Sequence, residues 1–258
     1  MDNLERYYEK FDEEKRLTRK HGQVEFFVTM EYIKKYLKKY GCKKIADIGA
    51  GTGAYAIDLC NMGYDVTAVE YVKKNLEVLR NKQSGVKTFL GDAKNLSMFA
   101  NDTFDATLLF GPIYHATNFK DKIKILKEAK RITKSDGLIF VAYYMNEYGV
   151  LLHGFRDGNI LQSIKEKRVD KNFHIINLPN DLYTFERLND INKYNKVCGL
   201  KRLEIFAPDG ASDYMRDCLN KMDEKTFEIF KKYQLGVSQK RELLGASSHL
   251  VDIVKNTK

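Results

Sequence analysis

The chain has 258 residues, 43% hydrophobic and 31% charged, with 44 lysines and arginines against 35 aspartates and glutamates, a net charge of +9. That length suffices for one sizeable core with an inserted or appended cap, and no apolar run approaches the roughly 20 residues that span a bilayer. The basic residues are dispersed, as in Lys34-Lys35 and Lys38-Lys39, and form no stripe of arginine and aromatic residues. This pattern argues for solubility and against nucleic acid as a partner.

Residues 1–42 read as a helical prelude. Met1 to Lys20 is charged throughout and has no apolar signal-peptide core, so a soluble, cytoplasmic protein is expected. Val24, Phe27, Val28, Tyr32, Ile33, Tyr36, Leu37 and Tyr40 follow a helical period that stops at Gly41, which predicts a helix over 21–40 packed on a sheet.

Residues 43–54 then read as a short buried strand (44–48), a glycine-rich turn and the start of a helix near 53–62. Glycines at 49, 51 and 53 let the backbone approach a nucleotide-bearing ligand, where a β-carbon would collide. Asp47 at the strand end suits a positively charged amino-acid portion of that ligand and would repel a pyrophosphate. The next strand, 65–70, ends in Glu70, and an acidic residue roughly 20 positions past a glycine turn is the usual partner of ribose hydroxyls. A helix over 72–82 and a third strand from 86 follow, the strand ending in Asp92, placed to accept from an adenine amino group.

Strands at 104–110 and 138–144 flank a helix over 119–133, with Asp136-Gly137 as the turn into the fifth strand. The alternation is that of a doubly wound α/β sheet with its ligand at the carboxyl ends of the strands. Residues 145–183 read as an irregular and helical insertion. After it come a helix from Glu186 to Cys198 stopped at Gly199, a strand from Lys201 to Ala207, helical residues from Ser212 to Gln234, and a last strand from His249 to Lys255. Cys42, Cys60, Cys198 and Cys218 form no Cys-x-x-Cys pair and have no zinc-type histidine spacing, so reduced thiols and no metal site are expected.

Over residues 43–144 the chain resembles the class I S-adenosylmethionine-dependent methyltransferases. The resemblance rests on Asp47-x-Gly49-x-Gly51-x-Gly53, Glu70, Gly91-Asp92-Ala93 and the strand from Phe104 to Pro112. It is similar in particular to a bacterial subgroup with His-Gly-x-Val-Glu-Phe (here His21 to Phe26), Gly-Pro-x-Tyr-His (Gly111 to His115) and Leu-Leu-Gly-Ala-Ser-x-His-Leu (Leu243 to Leu250). The resemblance implies a Rossmann-like seven-stranded sheet, parallel except for an antiparallel last strand within 247–258. Caps at 145–183 and 209–246 would shape the acceptor pocket within a single domain. It also implies S-adenosylmethionine as cofactor, held by Asp47, Gly49, Gly51, Gly53, Glu70, Tyr71, Asp92, Ala93 and Phe110, and a small-molecule acceptor. Two alternatives stay open: an NAD(P)-dependent oxidoreductase, since Gly49-x-Gly51-x-x-Ala54 also satisfies the dinucleotide fingerprint, and an RNA or protein methyltransferase.

On the acceptor side, His115 is a candidate base or substrate contact, against the alternative that it caps the next helix or bonds a loop carbonyl. Tyr114 reads as a pocket wall, because a pKa near 10 keeps it protonated. Phe110-Gly111 stands where methyltransferases acting on base amino groups carry Asp or Asn, which weakens a nucleobase reading. Tyr7, Arg19 and His21 are candidates for closing over the cofactor, with helix surface as the alternative. His153 and Tyr143 are further candidates at the pocket, whereas His174 and His249 read as structural.

Overall fold

Alternation in the strands decides the architecture. Ile45, Val66, Ala68, Ala106, Leu108 and Phe140 belong to one buried cluster, while Ala46, Ile48, Val69, Leu109, Ile139 and Val141 belong to another. Side chains of successive strand residues point to opposite faces, so strands apolar at every position need cover on both sides. The computed structural model describes residues 3–11, 14 and 18–258, and it supplies that cover.

The strands are β1 (Lys44–Ile48), β2 (Asp65–Glu70), β3 (Lys87–Leu90), β4 (Phe104–Leu109), β5 (Thr133–Met145), β6 (Phe185–Glu186), β7 (Leu200–Phe206) and β8 (His249–Asn256). Their order is β3-β2-β1-β4-β5-β8-β7, with β6 paired to the end of β5. All run parallel except β8, which lies antiparallel between β5 and β7. The seven expected strands form the main path, and the two-residue β6 is an addition. The order reverses between β1 and β4, the switch point where the carboxyl ends open a crevice.

The helices used below are α1 (Asn3–Lys10), α2 (Lys20–Tyr40), α3 (Ala54–Asn61), α4 (Lys73–Asn81), α5 (Phe119–Ile132), α6 (Leu188–Cys198) and α7 (Glu224–Val237). Both α2 and α6 stop at left-handed glycines, Gly41 and Gly199, whose N–H groups close onto carbonyls of the last turn. Residues of α2 and α3 pack in the first cluster, and residues of α5 and α6 in the second.

Two boundaries differ from the sequence reading. β5 begins at Thr133, and pairing with β4 shifts from Phe104↔Thr133 to Ala106↔Leu138 around Asp136, whose φ is 63°. The expected turn is thus an irregularity inside the strand, at an aspartate that tolerates the left-handed region better than most residues do. β3 stops at Leu90, so Asp92 lies in the turn beyond it, where its carboxylate accepts from the N–H of Lys94 (2.8 Å). Within residues 209–246, Leu219 and Phe227 bury themselves in the cluster that holds α2, and α7 is capped by Asp223, which accepts from Thr226 N–H (3.0 Å).

The 145–183 insertion contains a helical turn at 146–149, a π-helix (Val150–Arg156) and a short helix (Ile160–Lys165), then returns to β6. A buried ion pair between Lys122 of α5 and Glu186 pins that return, and Tyr194 O–H donates to the same carboxylate (2.7 Å). No described helix is long and apolar enough to cross a membrane.

Candidate active site

The turn after β1 folds back on β2, where the N–H groups of Gly49 and Ala50 donate to the carbonyl of Val69 (2.8 and 3.2 Å). Gly49, Gly51 and Gly53 take φ values of 78°, 56° and 89°. At Gly49 a β-carbon would also stand 2.7 Å from Cδ of Pro112, so this position needs glycine for both conformation and space. Gly53 opens α3, and a β-carbon there would meet Leu79.

Two carboxylates sit beneath this turn. Glu70, 5% exposed, accepts from Gly51 N–H through Oε2 (2.7 Å) and from Val72 N–H through Oε1 (2.8 Å). Asp47 is 2% exposed, and its Oδ2 has no hydrogen-bond partner among the described residues. Burial first, and the charge of Glu70 second, push the Asp47 carboxyl up to about 7.

A cavity of about 570 Å³ opens over these groups, within the range of about 300–1,000 Å³ common for ligand sites. Asp47, Gly49, Gly51, Glu70, Tyr71, Asp92, Ala93 and Phe110 all line it. Gly53 is not among the lining residues, though its neighbours Thr52 and Ala54 are.

The opposite wall is aromatic and comes from four places in the chain: Tyr8 and Phe11, Tyr114 and His115, Tyr144, and Tyr183. The Tyr114 ring lies 4.7 Å from that of Tyr144 and 4.9 Å from that of His115, and the Tyr183 ring lies 5.1 Å from His115. The Tyr114 carbonyl accepts from Thr184 N–H (2.7 Å), tying this wall to the cap.

His115 Nδ1 lies 2.8 Å from the carbonyl of Leu182, which can only accept, so Nδ1 carries the proton. Nε2 then accepts from Tyr8 O–H (3.3 Å). Burial holds the ring pKa down at about 4. His115 therefore bonds a loop carbonyl, as its alternative reading had it, and stays neutral at pH 7.

Several expectations fall elsewhere. Tyr143 is fully buried on the far face of β5, stacked toward Tyr194 (6.3 Å), and its neighbour Tyr144 faces the cavity instead. Arg19 is exposed, His21 bonds Asn220 (3.2 Å), and His153 lies beside Asn159 (3.3 Å); none of these lines the cavity. Tyr7 lies one ring behind it, against Tyr8 (5.2 Å). Tyr8, Phe11, Tyr144 and Tyr183 were missed; for Tyr8 and Phe11 the available signal was their i, i+3 spacing in the prelude.

Residues 46–141 match the methyltransferase domain family. Over 144 residues the chain is 29% identical to a glycine/sarcosine N-methyltransferase of Aphanothece halophytica, covering 54% of this chain and 52% of that protein. Over 103 residues the chain is 33% identical to a demethylmenaquinone methyltransferase of Paenarthrobacter aurescens, covering 40% and 39%. The chain thus spans about half the length, or less, of these two relatives. A solved structure from Thermotoga maritima, described as a SAM-dependent methyltransferase and possible histamine N-methyltransferase, shares the fold over 99% of this chain and 98% of its own, with a TM-score of 0.57 and 19% identity.

Proposed function

We propose that this chain transfers the methyl group of S-adenosylmethionine to a small-molecule acceptor. The observation that carries the reading is the buried Oδ2 of Asp47, unpartnered among the described residues, beneath a glycine turn too tight for any side chain at position 49. In this reading Asp47 receives the ammonium of the cofactor's amino-acid portion, Glu70 the ribose hydroxyls, and Asp92 the adenine amino group. Tyr71, Ala93 and Phe110 close around the adenosyl portion, and Gly49 and Gly51 keep the turn open to it. A pyrophosphate would meet two carboxylates there, which disfavours a dinucleotide.

When bound, S-adenosylmethionine supplies a methyl group made electrophilic by its sulfonium sulfur. The chain's part is to hold an acceptor in line with that group, and orientation alone supplies much of the rate. Tyr114, Tyr144 and Tyr183 form the wall against which an acceptor packs, and His115 positions Tyr8 and the cap loop through its two nitrogens. With its pKa near 4 His115 is a weak proton acceptor at neutral pH. We read residues 1–258 as one domain, with 145–183 as the cap that borders the acceptor side. A cytoplasmic location belongs to the same reading, supported by cysteines that are all free thiols.

The test is a panel of small metabolites assayed for release of S-adenosylhomocysteine. Turnover with at least one acceptor, lost in Tyr144→Ala while cofactor affinity is kept, is the expected result. Tight cofactor binding with no release across amines, phenols, thiols and carboxylates would instead mark a silent binding protein.

A further inference from the structure

The segments His21 to Phe26 and Leu243 to Leu250 lie near opposite ends of the chain, yet they meet. Glu25 stands on α2, His249 is the first residue of β8, and Asp209 follows β7. Oδ2 of Asp209 accepts from both the backbone N–H (2.8 Å) and the ring Nδ1 (2.9 Å) of His249. One ligand atom from each of Glu25, Asp209 and His249 lies within 4.8 Å of the other two. Asp209 is 3% exposed, His249 6%, and Glu25 is half-buried. Asp213, paired with Arg216 (2.8 Å), adds a further carboxylate whose field reaches His249.

We propose that Glu25, Asp209 and His249 bind a divalent transition-metal ion. Imidazole with carboxylates, and no thiolate, is the donor set of zinc, manganese or iron(II) rather than of copper(I) or an iron–sulfur cluster. Ligands about 2.1 Å from one ion stand about 3.0 Å apart at a right angle and about 4.2 Å apart when opposed. Metal binding would displace the Nδ1 proton that joins His249 to Asp209, and the 2.9 Å between these two atoms then matches the first spacing. The full 4.8 Å span closes with a shift of about half an ångström, which the long, half-buried Glu25 side chain can make.

The position gives the ion a consequence. His249 pairs across the sheet with Tyr144, the two rings are 4.1 Å apart, and Tyr144 lines the cavity. An ion at His249 would therefore tie α2, the loop after β7 and β8 together directly behind the aromatic wall. This inference stands apart from the methyl-transfer reading, and its test needs no turnover.

Tag-free protein is stripped with EDTA and titrated by calorimetry with zinc or manganese alone, and its metal content is measured after equilibrium dialysis. About one ion per chain is expected, with a rise in Tm on loading. Cobalt(II) in the same site should give visible absorption. Glu25→Gln and His249→Gln should each weaken binding by about a hundredfold or more. Should His249→Gln fail to fold, Glu25→Gln, on a half-buried helix position, carries the test. No bound ion in the wild type, or equal binding in the wild type and Glu25→Gln, would overturn the proposal.

Discussion

The two sides of the cavity are built differently. The wall beside β1 and β2 comes from short stretches of chain: Asp47 to Gly51, and Glu70 with Val72, whose hydrogen bonds link residues at most about twenty positions apart. The aromatic wall joins Tyr8 to His115, 107 positions away, and His115 to Leu182, 67 positions away. A local device can be read, and broken, one residue at a time. An assembled wall shares its role among several rings, so single substitutions there should cost less in cofactor affinity and more in acceptor handling.

The largest effect should come from Asp47. Its carboxyl is raised from the ordinary 3.8 to about 7, a gap corresponding to roughly 4 kcal/mol. Because the folded pKa lies above the unfolded one, the favourable contribution is complete below about pH 4 and is lost as pH rises through about 7. Unliganded protein should therefore lose stability between about pH 4 and 7 in denaturant titrations, and Asp47→Asn should flatten that slope. A slope shared by both proteins would place the titrating group elsewhere.

Gly49→Val comes next. The added side chain meets Pro112 at a positive φ, so S-adenosylhomocysteine affinity should fall by about a hundredfold or more. Glu70→Ala removes the acceptor of two backbone N–H groups as well as a proposed ribose contact, and should cost about 1.5 to 3 kcal/mol of binding by calorimetry. The smallest effect on cofactor affinity, within a few-fold, is expected of His115→Ala and Tyr114→Phe. Once an acceptor is known, His115→Ala should raise its KM more than it lowers kcat, and the wild-type pH–rate profile should show no limb near 6.5 from this ring. A hundredfold loss of cofactor affinity in either variant would erase the contrast between the walls.

That contrast also explains what was legible in the sequence. The strands announce themselves through apolar runs, and the turn through glycines whose conformational need is intrinsic, so β1, β2 and the eight cavity-lining cofactor candidates could be found locally. β6 has two residues and no signal of its own; it exists because Glu186 is held by Lys122 of α5. Tyr143 and Tyr144 are adjacent, and only the pairing of β5 with β6 and β8 sets which ring faces the cavity. The helical character of 209–246 was readable, but its docking on α2 depends on Leu219 and Phe227 finding partners remote in sequence. His249 looked structural because its partner, Asp209, stands forty positions away.

The central claim, that the glycine turn with Asp47 and Glu70 holds S-adenosylmethionine, is tested most directly by titrating S-adenosylhomocysteine and NAD into the same preparation by calorimetry. The account predicts one site per chain with a Kd of about 1 μM, or about −8 kcal/mol, for S-adenosylhomocysteine, and no heat of binding for NAD. Affinity for NAD with none for S-adenosylhomocysteine would contradict it.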